Sequence, residues 1–373
     1  MDAIVLRQHK DTLSWKEKFL QKECCGVVRR MGFLVLLGFL LLFSAVLPGS
    51  AETEDWLVIG HRGACGHLPE HTLASYALAI EMGADFVEPD VVSTKDGVLI
   101  CRHDCELGST TDVAEKFPER KKTVIIDGNE MTGWFAEDFT LAEIKTLRAK
   151  ERLDFRDHSR DGLYEVPTLQ EVLALVKDKC REKGREIGIY PETKHPSYHR
   201  ALGLSMEESL VELLKQNGYS SASDPVIIQS FEIANLRDLH EKTELRLVQL
   251  FDEFHLQPGC RLAAGEKGTY KNMATPEGLR EIASYAYGVG PWKESILPRD
   301  KNNRLEKPST FIEDAHKAGL KVHIYTMRNE NSYLAEEYAG DPREEYRRWI
   351  RMGVDGFFTD YPDTAVQVRN ETP

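Results

Sequence analysis

Short apolar runs of strand length alternate with longer segments of helical periodicity along residues 56–360. Eight runs remain when the run at 97–101 is set aside, because it follows its predecessor too closely for a crossover helix. They are WLVIG (56–60), DFVEPDVV (85–92), EIGIYPE (186–192), PVIIQSF (225–231), LRLVQLF (245–251), AYGVG (286–290), KVHIYT (321–326) and DGFFTD (355–360). Each run is predicted to form a buried strand.

The segments between the runs carry two independent helix signals. Apolar residues recur at i, i+3, i+4 and i+7 in residues 73–80 and again in residues 169–176. Helix-start signals open several segments, either as a Ser or Thr followed three residues later by Glu or as Thr followed by Pro. These start signals lie at Thr140, Thr168, Ser205, Thr275 and Thr310.

Eight strand–helix units in one chain predict an α/β fold, a (β/α)8 TIM barrel over residues 52–373. A doubly wound open sheet is the alternative, since it shows the same alternation. The segment at about 106–166, after the second strand, is too long for an ordinary connection. We expect it to be an inserted cap subdomain at the active-site face.

The N-terminal residues 1–51 resemble a signal peptide. An uncharged apolar run at 32–47 follows Arg29 and Arg30, and small residues lead to a predicted cleavage near Ala51. Met31 is an alternative start. We expect entry into the secretory pathway, with an extracellular, cell-wall or vacuolar or periplasmic-type destination and no stable membrane span in the mature chain. A retained signal-anchor is the alternative.

Charge and cysteine content narrow the function classes. The net charge of −13 disfavours nucleic acid as a partner. An anionic substrate would need a local positive charge, for which a bound metal ion is a candidate. The cysteines after residue 51 show no CxxC spacing, so a structural zinc site is not expected.

Polar residues gather where the predicted strands end, which is where barrel enzymes place their chemistry. His61 and Arg62 end the first strand, and Glu88 and Asp90 share one side of the second strand because they are two positions apart. Glu192 and Lys194 stand at the end of the third, again two positions apart.

The sequence TKDG predicts a hairpin after the second strand, with Asp96 and Gly97 as its turn residues. That register would set Asp90 opposite His103 and Glu88 opposite Cys105. A carboxylate pair and a histidine would then meet on neighbouring strands.

These residues together suggest a chemistry. Three converging carboxylates, Glu88, Asp90 and Glu192, require a cation between them, and all-oxygen ligation suits Ca²⁺ or Mg²⁺. His61 and His103 would form a proton-transfer pair near neutral pH. Cationic Arg62 and Lys194 would bind an anionic substrate oxygen, a combination typical of phosphate-ester cleavage.

The chain also resembles the glycerophosphodiester phosphodiesterase family, in its secreted or periplasmic type. The resemblance is carried in order by GHRGACGHLPEHTLASY, GADFVEPDVVSTKDGVLICRHD, TDVAEKFPER, DFTLAEIKTL, YPETKHP, QSF, GVGPW, YTMRNE and DGFFTDYPD. One departure is LGSTT, where many relatives carry an arginine and this chain has Ser109. Another is Pro89 between the two carboxylates, which has no backbone donor.

The resemblance implies a (β/α)8 barrel with an inserted cap, and one divalent ion held by Glu88, Asp90 and Glu192. It implies acid–base work by His61 and His103, with phosphate contacts from Arg62 and Lys194. The expected reaction is hydrolysis of small glycerophosphodiesters, such as glycerophosphocholine or glycerophosphoethanolamine, to sn-glycerol 3-phosphate and an alcohol. Two alternatives are a related barrel phosphodiesterase acting on intact phospholipids and an inactive barrel that binds a partner. The sequence sets no oligomeric state.

Overall fold

The computed structural model describes residues 56–371, and the predicted leader at 1–51 lies outside them. Among the described residues, all eight predicted strands are present and the second and third are each interrupted once. The strands are Leu57–His61, Phe86–Glu88 with Asp90–Ser93, Gly188–Ile189 with Glu192–Thr193, Ile227–Ser230, Arg246–Phe251, Gly288–Pro291, Lys321–Met327 and Gly356–Thr359. The interruption of the second strand falls at Pro89, which cannot donate to a ladder.

Parallel pairing joins neighbouring strands around a closed ring. The first strand pairs with the second and also with the eighth, as in the partners Gly60 and Thr359. The second strand reaches the third through its two halves, and the remaining pairs follow in chain order. The (β/α)8 barrel is therefore confirmed. The open doubly wound sheet is wrong, because such a sheet ends in two edge strands whereas the pairing here closes into a ring through the first and eighth strands.

Helices connect the strands. The α-helices are Leu73–Glu81, Val113–Lys116, Leu141–Ile144, Leu169–Lys183, Pro196–Ala201, Glu207–Gln216, Ile233–Lys242, Gly259–Ala264, Tyr270–Met273, Pro276–Ile282, Lys293–Ile296, Phe311–Lys317, Pro342–Arg351 and Pro362–Glu371. Short 3₁₀ turns lie at Pro118–Arg120, Ala136–Asp138, Asn331–Tyr333 and Glu336–Tyr338. Among the described residues, no helix combines the length and apolar character needed to cross a membrane.

Three of the five predicted helix starts are confirmed by their capping bonds. Thr140 and Thr168 form complete capping boxes, and Thr275 accepts a bond from the Gly278 amide. The prediction at Ser205 is wrong, because the helix begins at Glu207 with Met206 as its N-cap, and Ser205 lies one residue before that cap. Thr310 is an N-cap but makes no capping bond, since its hydroxyl donates to the Asp314 carboxylate instead.

The apolar residues of the barrel strands form two layers, one on each side of the sheet, because side chains alternate along a strand. Val58 and Val87 belong to a large cluster with the surrounding helices, whereas Ile59 and Phe86 belong to a smaller cluster made of barrel strands. Successive residues of a strand point to opposite sides, so the larger cluster lies between sheet and helices and the smaller one fills the barrel interior.

The long connection at 106–166 has its own apolar cluster, which includes Phe135, Phe139 and Leu147. It contains an antiparallel hairpin formed by Lys122–Ile126 and Asn129–Gly133. The hairpin touches the barrel through Asp127, whose carboxylate lies 2.6 Å from His195 Nδ1. The segment therefore packs as an ordered unit after the second strand, against loops at the strands' C-terminal ends.

The predicted register of the hairpin after the second strand is wrong by one residue. Val91 pairs with Cys101, and the Arg102 amide donates to the Asp90 carbonyl at 3.0 Å. The turn has three residues rather than two: the Thr94 amide donates to the Val98 carbonyl, and Gly97 has φ 78°. Neither Asp90 nor Glu88 is therefore paired with its predicted partner.

Candidate active site

A cavity of about 310 Å³ opens at the C-terminal ends of the barrel strands. Six of the seven predicted site residues line it, from four separate segments of the chain. They are His61, Arg62, Glu88, His103, Glu192 and Lys194. The seventh, Asp90, contributes an oxygen to a group with Glu88 and Glu192 in which all three ligand atoms lie within 4.8 Å of one another. The cavity thus contains the residue types that were predicted to meet.

The structure explains how Asp90 is held. Its Oδ2 atom lies 2.9 Å from His71 Nε2, and Arg62 Nε is 3.4 Å away. Its Oδ1 atom is buried and has no hydrogen-bond partner among the described residues. A buried carboxylate oxygen without a partner is costly, so a bound cation would satisfy it.

The three carboxylates titrate differently because of their surroundings. Burial raises the pKa of Glu88 well above its usual range, and neighbouring Asp90 and Glu192 add to the shift. Burial likewise raises the pKa of Glu192 to about 8, against the opposing effect of Lys194. Burial acts to raise the pKa of Asp90 as well, but Lys194 and His71 outweigh it and hold that pKa well below its usual range.

These shifts show that the cavity cannot easily hold three negative charges by itself. A hard divalent cation would allow all three carboxylates to ionise, and an all-oxygen donor set suits Ca²⁺ or Mg²⁺. The residues present therefore fit the metal that the sequence suggested.

Each of the two histidines is bound through Nδ1 to a carboxylate. His61 Nδ1 lies 2.7 Å from Asp360 Oδ1, and His103 Nδ1 lies 2.8 Å from Asp104 Oδ1. Nε2 is then the ring nitrogen left for proton transfer. Burial lowers the pKa of His61 to about 4 and that of His103 to about 3, and nearby Arg62 contributes in both cases.

Arg62 and Lys194 supply positive charge beside the carboxylates. Arg62 has φ 57°, its amide donates to Glu88 at 2.9 Å and its Nη1 donates to Glu70 at 3.0 Å. Lys194 Nζ lies 2.7 Å from Glu192 Oε1. Burial acts to lower the pKa of both cations, but Glu192 and Asp90 outweigh it for Lys194, and Glu70 and Asp90 outweigh it for Arg62. Both therefore keep their charge at neutral pH.

Sequence reasoning missed several residues that complete the site. Asp360 orients His61, His71 orients Asp90, and Gln229 Nε2 donates to Glu88 Oε1 at 3.1 Å. Asp360 could have been found, because it follows the eighth strand directly at the end where barrel chemistry gathers. His71 could not have been found, because its position in a loop of the sequence gives no sign of its contact with Asp90.

The structure also locates the cysteines and Trp292. All five cysteines among the described residues are free, including Cys65, Cys101 and Cys105, which are buried. Trp292 lines the cavity.

The fold is thus a barrel with a carboxylate-rich cavity, lined also by two histidines and two cationic side chains, at the C-terminal ends of its strands. The model of the glycerophosphoryl diester phosphodiesterase family matches residues 61–364, and the chain belongs to that family. It is 41% identical to the glycerophosphodiester phosphodiesterase GDPD6 of Arabidopsis thaliana, over 81% of this chain and 83% of that protein. It is 31% identical to the glycerophosphodiester phosphodiesterase of Haemophilus influenzae, over 87% and 92% of the two chains.

Solved structures show the same fold. The glycerophosphodiester phosphodiesterase from Agrobacterium tumefaciens superposes with a TM-score of 0.54 at 21% identity, over 83% of this chain and 98% of that chain. An Oleispira antarctica phosphodiesterase in complex with the product sn-glycerol-3-phosphate has a TM-score of 0.57 at 20% identity, over 85% and 97%. These structures share the barrel fold, and the family model and the sequence relatives place the chain among the glycerophosphodiester phosphodiesterases.

Proposed function

We propose that this enzyme hydrolyses small glycerophosphodiesters, such as glycerophosphocholine and glycerophosphoethanolamine, to sn-glycerol 3-phosphate and an alcohol. The observation that supports this most directly is that His61, His103, Arg62 and Lys194 line one cavity beside the three-carboxylate group. The cavity volume of about 310 Å³ is adequate for a small polar diester.

Glu88, Asp90 and Glu192 are the residues that would hold a divalent ion, Ca²⁺ or Mg²⁺. When bound, such an ion polarises phosphoryl oxygens and lowers the pKa of a coordinated hydroxyl or water. Arg62 and Lys194 bind the remaining phosphate charge through charge-assisted hydrogen bonds. The phosphate then lies in the cavity that the two histidines line.

His61 and His103 form the acid–base pair. One histidine accepts, through Nε2, the proton of the attacking water or glycerol hydroxyl, and the other donates a proton to the departing alkoxide oxygen. Attack by water gives sn-glycerol 3-phosphate directly, whereas attack by the glycerol hydroxyl gives a cyclic phosphate that a water molecule then opens to the same product. Both side chains are neutral at pH 7 before substrate binds. The anionic diester raises the pKa of a histidine beside it, which favours loading the acid with its proton.

The test is release of glycerol 3-phosphate from glycerophosphocholine and glycerophosphoethanolamine by protein treated with a chelator and then given Ca²⁺ or Mg²⁺ separately. We expect activity to disappear on chelation and return with one of the ions. His61→Ala and His103→Ala should each lower turnover roughly 100-fold or more without loss of fold. Full activity after chelation would contradict the metal, and near-normal turnover of either variant would contradict that histidine's role.

We further propose that residues 106–166 act as a cap over bound substrate and that residues 1–51 direct the chain into the secretory pathway. N-terminal sequencing of the chain after expression in a secreting host tests the second proposal. A start near Glu52 supports it and shows cleavage, and an intact N-terminus on membrane-bound chain indicates the retained signal-anchor. An intact N-terminus on chain that stays in the cytosol contradicts the proposal.

A further inference from the structure

Two arginines on one segment of the long connection reach the carboxylate partners of both active-site histidines. The segment is Glu151–Arg156, and its arginines are four positions apart. Arg156 Nη2 donates to Asp360 Oδ2 at 2.6 Å, and the other oxygen of Asp360 is the one bound to His61. A single carboxylate therefore joins this segment to the first histidine.

The guanidinium group of Arg156 is held by two further acceptors besides Asp360. Its Nε donates to Glu330 at 2.8 Å, and its Nη1 donates to the Cys65 carbonyl at 3.0 Å. Glu330 is itself held by the Tyr361 hydroxyl at 2.8 Å. The Arg156 side chain is only 7% exposed, so its interactions with these acceptors are little weakened by solvent.

Arg152 makes the corresponding contacts on the other side of the site. Its Nε lies 3.0 Å from Glu70 Oε2, and its Nη1 lies 3.9 Å from Asp104 Oδ2. Glu70 binds Arg62, and Asp104 binds His103. The contact with Asp104 is long and the side chain is 23% exposed, so we expect Arg152 to contribute less than Arg156.

A histidine that transfers protons through Nε2 works best when Nδ1 and the ring plane are fixed, and the orienting carboxylate must itself be fixed. Asp360 has a second cation, Arg328, whose Nε lies 3.1 Å from Oδ2. Arg328 keeps the carboxylate charge compensated when Arg156 is removed, but it does not tie Asp360 to the long connection.

We propose that the Glu151–Arg156 segment positions the acid–base pair, with Arg156 as the principal positioning residue that acts through Asp360 on His61. The inference rests on the proposed proton-transfer role of His61. Turnover then requires that the long connection, residues 106–166, is folded against the barrel so that Arg156 reaches Asp360.

The experiment compares Arg156→Ala, Arg156→Lys and the matched control Arg160→Ala, which removes the same charge from an exposed position four residues further along. We expect Arg156→Ala to lower kcat roughly 10- to 100-fold, because the histidine loses its fixed geometry. KM should change little, since substrate contacts remain. Millimolar guanidinium should restore part of the lost kcat in Arg156→Ala and none in His61→Ala.

Arg156→Lys keeps the charge but loses the forked geometry, so its kcat should fall between the parent and Arg156→Ala. Circular dichroism establishes that each variant is folded, and Arg156→Lys carries the test if Arg156→Ala is not. An Arg156 variant with a kcat equal to that of Arg160→Ala would overturn the proposal. If His61→Ala itself retained turnover, the proposed function would fail, and this outcome is separate from a failure of Arg156 alone.

Discussion

His61 and Asp360 are hydrogen-bonded at 2.7 Å although they lie 299 positions apart in the chain. The contact follows from barrel closure, because Gly60 and Thr359 are direct partners on the first and eighth strands. Each residue is the next one along its strand, so both side chains arrive at the same edge. Closure of the barrel is therefore what builds the pair.

Replacing Asp360 with Asn should lower kcat roughly 100-fold or more, because the amide no longer holds the His61 ring in the tautomer that leaves Nε2 free to accept a proton. Steady-state kinetics on glycerophosphocholine measures the effect. Asp363→Asn is the matched control, since Asp363 bonds the exposed His67 at 3.3 Å outside the cavity. Equal kcat values for the two variants would show that Asp360 does not orient His61.

Replacing His71 with Asn should weaken metal binding. His71 fixes Asp90 through Nε2 and lies at φ 54°, a backbone conformation that Asn tolerates. Loss of a residue that orients a metal ligand typically costs roughly 10- to 100-fold in affinity, so the half-saturating Ca²⁺ or Mg²⁺ concentration should rise by that factor. Titration of chelated enzyme with each ion measures it.

The control is His67→Asn, in the same loop but bonded to Asp363 rather than to a carboxylate of the cavity. An ion requirement that is unchanged in His71→Asn would show that the His71–Asp90 contact has no part in metal binding.

The strands could be predicted from the sequence, and so could the placement of Glu88, Asp90 and His61. Both depend only on the order of residues within a strand. Glu88 and Asp90 had to share a side of their strand, and His61 had to end another. The register of the hairpin could not be predicted, since a two-residue and a three-residue turn fit the same Asp96-Gly97 sequence and differ only in the tertiary environment. His103 nevertheless reaches the cavity, because the chain leaves its strand at Cys101 and continues toward it.

Contacts between distant segments lay beyond sequence reasoning. Arg156 looks like a solvated cation in a charged segment, and only the folding of the long connection over the barrel brings it to Asp360. His71 is a comparable case, because a loop turn with positive φ directs it toward Asp90. Periodicity and spacing report the neighbours along an element and not those across the fold.

Gly63→Ala should destabilise the enzyme strongly. Gly63 has φ 92°, and an added Cβ would lie 2.5 Å from the carbonyl carbon of Ser75 in the helix that follows. Backbone strain alone costs about 1–3 kcal/mol, and the contact with main-chain atoms cannot relax cheaply. The free energy of unfolding, measured with urea, should therefore fall by at least about 2 kcal/mol.

Gly97→Ala provides the comparison, because Gly97 has φ 78° but an added Cβ meets nothing within 4 Å. Gly97→Ala should lower the free energy of unfolding only by the cost of backbone strain at a positive φ, about 1–3 kcal/mol. Equal losses in the two variants would show that the close approach of Gly63 to Ser75 is not what requires glycine there.

Asp355 should stabilise the fold in a pH-dependent way at the N-terminal ends of the seventh and eighth strands. Its carboxylate accepts from the Val322 amide at 2.8 Å and lies 2.8 Å from His316 Nε2. Burial acts to raise the pKa of Asp355, but these partners, with Lys321, outweigh it and the pKa is lowered. A lowered pKa means that the ionised form is favoured in the folded state.

The stabilisation is therefore present above the unfolded-state pKa of about 3.9 and is lost as the pH falls through the lower folded-state pKa. Asp355→Asn should lower the free energy of unfolding at pH 7 by about 1–3 kcal/mol. The difference from the parent should shrink below about pH 4 as Asp355 protonates. Asp178→Asn is the control, since its side chain is 67% exposed and its pair with Arg181 is a surface one. A difference between parent and Asp355→Asn that stayed constant from pH 7 to about pH 3 would contradict the assignment.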